Sequence, residues 1–120
     1  MAYLDSAATD HFATPTFSLN NITPIDMPNL IFLSNRDYML PETSGELPNL
    51  LQIEIPYKQA QIYSTNKNST LISLGRLCNR DCLAITDKHK TIMYKQDKPI
   101  LKVPRYKKTG MYLINLNNSL

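Results

Sequence analysis

Tyr3-Leu4-Asp5-Ser6-Ala7-Ala8-Thr9-Asp10-His11-Phe12 is the stretch on which the reading of this chain turns. Its apolar lead reads as a short strand, Met1 to Leu4, and the small and polar residues that follow read as a tight turn carrying an acid. A carboxylate at the end of a rigid strand can be aimed into a cleft, and the Ser6 hydroxyl can hydrogen-bond to hold the turn. Two copies meeting on a two-fold axis would set their Asp5 side chains face to face. Like charges so close cannot both ionise cheaply, so such a pair shares one proton and titrates as a unit. One carboxylate then acts as general base on a water while the protonated one donates to a substrate carbonyl. The plainer reading is a turn acid that accepts from nearby backbone amides. Spacing alone leaves both open.

Outward from this stretch, short apolar runs alternate with Pro, Asn, Asp and Ser, and only three glycines are present among 120 residues. That pattern predicts strands and turns rather than long helices. Beyond the first, the expected strands are Leu30 to Leu33, Leu50 to Ile55, Thr70 to Leu74, Leu83 to Thr86, Thr91 to Tyr94, Ile100 to Val103 and Met111 to Ile114. Within Leu50 to Ile55, Leu51, Ile53 and Ile55 alternate with Gln52 and Glu54, the period of a sheet with one wet face. Thr70 to Leu74 leads into Gly75-Arg76-Leu77-Cys78, which reads as a buried strand turning at glycine into one helical turn. Ser34 to Pro48 reads as a hairpin or loop, and Lys58 to Asn68 as a surface connection. With neither a repeat nor a long linker, residues 1–120 form one all-β domain, a barrel or a sandwich.

Composition narrows the function classes. Hydrophobic residues at 42% and charged residues at 19% suit a globular domain rather than a disordered chain. The net charge of +3 collects in the second half, where Lys88, Lys90, Lys95, Lys98, Lys102, Arg105, Lys107 and Lys108 stand among Tyr94, Tyr106 and Tyr112. Aromatic residues among lysines can stack on bases while the charges track phosphates, so an RNA- or polyprotein-binding module is one reading and a solvated face the other. No apolar run is long enough for a membrane helix and no signal-peptide pattern opens the chain, so an intracellular, cytoplasmic setting is expected. Cys78, Cys82, His89 and His11 offer zinc-ligand chemistry at a spacing that matches no knuckle or ribbon. Two free, half-buried core thiols account better for the cysteines.

Several segments together resemble the aspartic protease region of copia-type retrotransposon polyproteins. That family carries Asp-Ser-Gly-Ala-Ser/Thr-x-His after a strand, and Asp5-Ser6-Ala7-Ala8-Thr9-Asp10-His11 is similar to it. Leu71-Ile72-Ser73-Leu74-Gly75-Arg76-Leu77-Cys78 resembles the family's Leu-Leu-Ser-Val-Gly-x-Leu-Cys. Asp81-Cys82-Leu83-Ala84-Ile85 resembles Gly-Cys-x-Val-x-Phe, and Thr109-Gly110-Met111-Tyr112-Leu113 resembles the closing Thr-Gly-Leu-Tyr-x-Val. Each motif is short, and it is their order and spacing across nearly the whole chain that make the likeness specific.

The resemblance implies a retropepsin fold, a small closed β-barrel acting as a homodimer with one active site at the interface. It implies Asp5 as the catalytic carboxylate, Ser6, Ala7, Ala8 and Thr9 as the active-site loop, and Leu74, Gly75 and Arg76 as its support. The substrate would be a peptide of the element's own polyprotein, held as an added strand beneath a flap at Ser34 to Glu46 with Gly45 as pivot. No cofactor is implied, because the carboxylate pair activates the water, and an active element would carry the enzyme in a virus-like particle. Asp10 and Arg76 flank the site floor and either pair to brace it or stand solvated. Ala7 departs from the family's glycine, and a methyl group fits there without strain only if the backbone has negative φ. Loss of catalysis at that position would leave a retropepsin-like remnant that binds RNA or polyprotein.

Overall fold

A computed structural model gives the fold; the residues it describes are 2–25, 31–32, 38–39, 41, 43–63, 69–78 and 81–116. The strands are β1 (Ala2–Asp5), β2 (His11–Ala13), β3 (Asn20–Pro24), β4 (Ile31–Phe32), β5 (Tyr38–Met39), β6 (Thr43–Glu46) and β7 (Gln59–Ile62). After them come β8 (Thr70–Ser73), β9 (Cys82–Thr86), β10 (Lys90–Lys95), β11 (Lys98–Pro104) and β12 (Tyr112–Ile114). Among the described residues the helical elements are one turn, α1 (Leu74–Leu77), and a 3-10 turn at Ile55–Tyr57. The all-β expectation therefore holds, with α1 where a helical turn around Gly75 was expected.

Seven strands form one mixed sheet in the order β12-β1-β8-β2-β7-β6-β3, while β11-β10-β9 and β4-β5 form smaller sheets. Among the described residues no ladder joins β3 back to β12, so the closed barrel implied by the resemblance is not observed there. The alternation in β1 explains its place: Ala2 and Leu4 point into the core, whereas Tyr3 and Asp5 are half-buried on the other face. β1 runs parallel to β8, pairing Asp5 with Ser73, and antiparallel to β12. Ile72 of β8, Leu77 of α1, Ala60 of β7 and Met93, Leu101 and Val103 of the β10–β11 hairpin complete the core. That hairpin turns at Gln96 and Asp97, both with positive φ, as a two-residue turn matching the strand twist requires.

Three expectations are corrected. Leu50 to Ile55 is no strand: the Ile53 amide donates to the Leu50 carbonyl, closing a turn, and the burial period is three. Leu50 and Ile53 are buried while Leu51 and Ile55 are 88% and 54% exposed, so two of the three apolar residues of the expected inward face point to solvent. Positive φ at Asn49 redirects the chain before this segment, and Pro56, which has no N–H for a ladder, follows it. Lys58 to Asn68 is a surface connection only in part, since β7 lies between β2 and β6 with Ala60 fully buried; residues 64–68 lie outside the described ones. Gly45 is no flap pivot but an interior residue of β6, opposite Ala60. A Cβ there would meet Leu19 Cβ at 2.8 Å and the Asn20 carbonyl at 3.1 Å, so close backbone approach explains the glycine. The rest of the flap interval holds β5, with 34–37, 40 and 42 outside the described residues.

Candidate active site

The turn after β1 is held by its own acid. The Ala7 amide donates to Asp5 Oδ1 at 2.8 Å, an Asx-type contact that fixes the carboxylate against the turn. Asp5 is half-buried, Ser6, Ala7 and Thr9 are exposed, and Ala8 is half-buried, so the loop presents its polar edge outward. The backbone is unstrained where the sequence departs from the copia-type pattern it resembles: the described non-glycine residues with positive φ are Asn21, Asn49, Asp81, Gln96 and Asp97. Ala7 is outside that set, and its methyl group sits in a conformation any L-residue adopts.

Behind the loop stands a network that reading residue by residue did not assign. Ser73, wholly buried at the end of β8, donates through Oγ to the Ala8 carbonyl at 2.6 Å and accepts the Arg76 amide at 3.1 Å. It thus caps α1 and pins the loop with one hydroxyl. The Ser73 amide donates to His11 Nδ1 at 2.9 Å, and His11 Nε2 lies 2.8 Å from the Tyr57 carbonyl. A nitrogen that accepts from an amide carries no proton, so His11 is the neutral Nε2–H tautomer and donates to Tyr57. Burial is the main reason its pKa is pushed down to about 4; the nearby Arg76 charge acts the same way, against the Tyr57 contact and Asp10. Next to this, the Thr14 amide donates to Thr70 Oγ1 at 3.0 Å, tying the end of β2 to the start of β8.

Asp10 and Arg76 do pair. Arg76 Nη1 lies 3.0 Å from Asp10 Oδ1, and Nη2 donates to the Pro56 carbonyl at 3.0 Å. The guanidinium therefore joins the loop, α1 and the 3-10 turn in one plane. Leu74 is half-buried against the core and Gly75 is exposed; a Cβ on Gly75 would meet only Ser73 Oγ at 3.9 Å, so packing among the described residues does not require glycine there. The structure thus gathers Asp5, Ser6, Ala7, Ala8, Thr9, Leu74, Gly75 and Arg76 around one end of the β1–β8 pair. Asp10 and His11 were legible as motif residues; the inward position of His11 was not, because Phe12 beside it is the more apolar residue and yet lies on the less buried face of β2.

The other candidate chemistry does not assemble. His11 has both ring nitrogens occupied by backbone groups, and among the described residues no group of three or more His, Cys, Asp or Glu side chains converges on a metal site. Cys78 and Cys82 are free, half-buried and packed against the core. Burial raises both thiols above their ordinary pKa, with the neighbouring Cys82 adding to the effect on Cys78. Tyr94 and Tyr112 are half-buried, Tyr112 donating to the Asp87 carbonyl, whereas Tyr106 is exposed. No described helix is long and apolar enough to cross a membrane. Comparison with protein-family models, with curated proteins and with solved structures finds no match to this chain.

Proposed function

We propose that this chain is the aspartic endopeptidase of a copia-type retrotransposon polyprotein, cleaving peptide bonds with an Asp5 carboxylate from each half of a homodimer. Closure of the sheet into a retropepsin barrel is part of this reading. The observation that carries it is the contrast around Asp5: an acid in an exposed turn whose backbone is held from behind by Ser73 and whose flank is fixed by Arg76. Surface turns need no such buried support to cap an amide, whereas a general base must keep its position while the reaction proceeds. The negative φ of Ala7 removes the backbone objection to alanine in place of the family's glycine.

In the dimer each turn would bring Asp5 to the two-fold axis, where the shared proton makes one carboxylate the base for water and the other the donor to the scissile carbonyl. The test is cleavage of a mixed peptide library between roughly pH 4 and 7. The expected result is cleavage that a statine-type transition-state analogue inhibits and that Asp5→Asn removes without unfolding the chain. Activity that survives Asp5→Asn overturns the assignment. Cleavage only in Ala7→Gly means that the alanine methyl blocks substrate or the second copy. No cleavage by any variant, together with RNA retention that falls steeply with salt, moves the reading to the non-catalytic module.

A further inference from the structure

The chain's two cysteines are neighbours in space. Cys78 closes α1 as its C-cap, its amide donating to the Leu74 carbonyl at 2.9 Å. Cys82 opens β9, in register with Lys95 of β10. Just before it Asp81, with positive φ and its carbonyl accepting the Gln96 amide, turns the chain into the sheet. The two thiols hydrogen-bond to each other, both are half-buried against the core, and neither is held in a disulfide.

Their surroundings differ, and the difference assigns each a part. Cys82 lines an open, shallow concavity with Leu83, Tyr94 and Asp97, whereas Cys78 stands outside that lining. The shared hydrogen bond favours the charged form of Cys82 and disfavours that of Cys78, so Cys78 is the donor and Cys82 the acceptor. Burial is the main reason the Cys82 thiol lies above its ordinary pKa; Lys95 acts against it and Asp81 with it. An attacking sulfur has to be reached and ionised, and the concavity, Lys95 and the Cys78 S–H all serve Cys82.

We infer that Cys78 and Cys82 form a redox-modification site: a hydroperoxide converts the pair into a disulfide that clamps the end of α1 to the start of β9. The Cys82 thiolate attacks one peroxide oxygen and the O–O bond breaks. The other oxygen leaves with a proton as water or an alcohol, and the sulfur keeps a hydroxyl as sulfenic acid. The Cys78 sulfur then attacks the Cys82 sulfur, the S–O bond breaks, and the hydroxyl leaves with the Cys78 proton as water. Two electrons pass from the sulfur pair to the peroxide, and a thiol reductant returns them. Because α1 is capped by Ser73, which also pins the Ala8 carbonyl, the disulfide stiffens the support of the Asp5 turn from behind. The chemistry belongs to the thiols alone and does not depend on the catalytic reading.

The test is titration of the folded chain with hydrogen peroxide, followed by intact mass and by counting free thiols. The parent chain is expected to lose about 2 Da and both thiols, at a rate independent of protein concentration, and to regain both with dithiothreitol. Thiols ionised only in part oxidise in proportion to their thiolate, so the rate should rise about tenfold from pH 7 to pH 8. Cys78→Ser leaves the Cys82 sulfenic acid without a resolving thiol and should gain about 16 or 32 Da instead, with thermal melts reporting that the fold is intact. In the oxidised parent chain the Arg76 and Cys78 amides should exchange with solvent about tenfold more slowly. A parent chain that gains about 16 or 32 Da without losing 2 Da overturns the inference. So does a disulfide that forms only between copies, and unchanged amide exchange in the oxidised chain overturns the clamp.

Discussion

At Ala7 a single dihedral decides how an alanine is felt where the copia-type pattern has glycine. Its φ is not positive, and its side chain is exposed, so alanine restricts the unfolded chain without straining the folded one. Ala7→Gly is therefore expected to lower the unfolding free energy by about 0.4 to 1 kcal/mol in denaturant titration, through added freedom of the unfolded chain. A gain in stability would mean that the turn holds a backbone strained for alanine. The residues around it show what a sequence can disclose at this scale. Asp5, Ser6 and Thr9 were legible as a polar turn because turn chemistry is local. The bond from Ser73 to Ala8 spans 65 positions, and nothing in the local pattern of either residue announces it.

Among the elements, those whose burial period matched a single geometry were legible, and the rest were hidden by segments that mimic one. β1, β8 and the β9–β10–β11 meander follow runs of apolar and β-branched residues, whereas Leu51, Ile53 and Ile55 imitate a strand in a segment that buries Leu50 and Ile53 three apart. β6, Thr-Ser-Gly-Glu, lacks the apolar alternation that marks strands, and at Gly45 its neighbours leave no room for a side chain. Gly45→Ala should accordingly destabilise the chain by about 1 to 3 kcal/mol, since Leu19 and the Asn20 backbone must move to admit a methyl group. The junction of β8 and α1 allows a sharper comparison. Ser73→Ala removes a helix cap and orphans the Ala8 carbonyl inside the protein, a loss of about 2 kcal/mol. Asp10→Asn breaks a more visible ion pair, but with side chains 34% and 39% exposed it should cost less than about 1 kcal/mol. Urea titrations of the two variants that reversed this order would show that the ion pair, not the buried hydroxyl, holds the loop.

For the molecule as a whole, His11 is where the large sheet, the loop before it and the 3-10 turn meet, so its protonation state acts on global stability. In the folded chain its pKa is pushed down to about 4, chiefly by burial, against 6.5 in the unfolded chain. Between these values the unfolded state binds the proton and the folded state does not, so stability falls as pH falls. The contribution is fully present above about pH 6.5, is lost progressively down to about pH 4, and does not change further below it; its total is about 3 kcal/mol. Protonating His11 also puts a proton on Nδ1, which must then give up the Ser73 amide. Carboxylates lose their contribution in a lower window: Asp87, held below its ordinary 3.8 by the His89 and Lys90 amides, begins to matter only beneath that value. Chemical denaturation at steps between pH 7 and 4 should thus show a decline already under way at pH 5.5, and His11→Gln, less stable at pH 7, should show a flatter profile over the same interval. A flat profile in the parent chain would exclude His11 as the acid-sensitive group. Under the proposed function a shared-proton dyad calls for mildly acid solution whereas the His11 network calls for neutral, so cleavage should decline toward pH 4 in step with loss of folded protein.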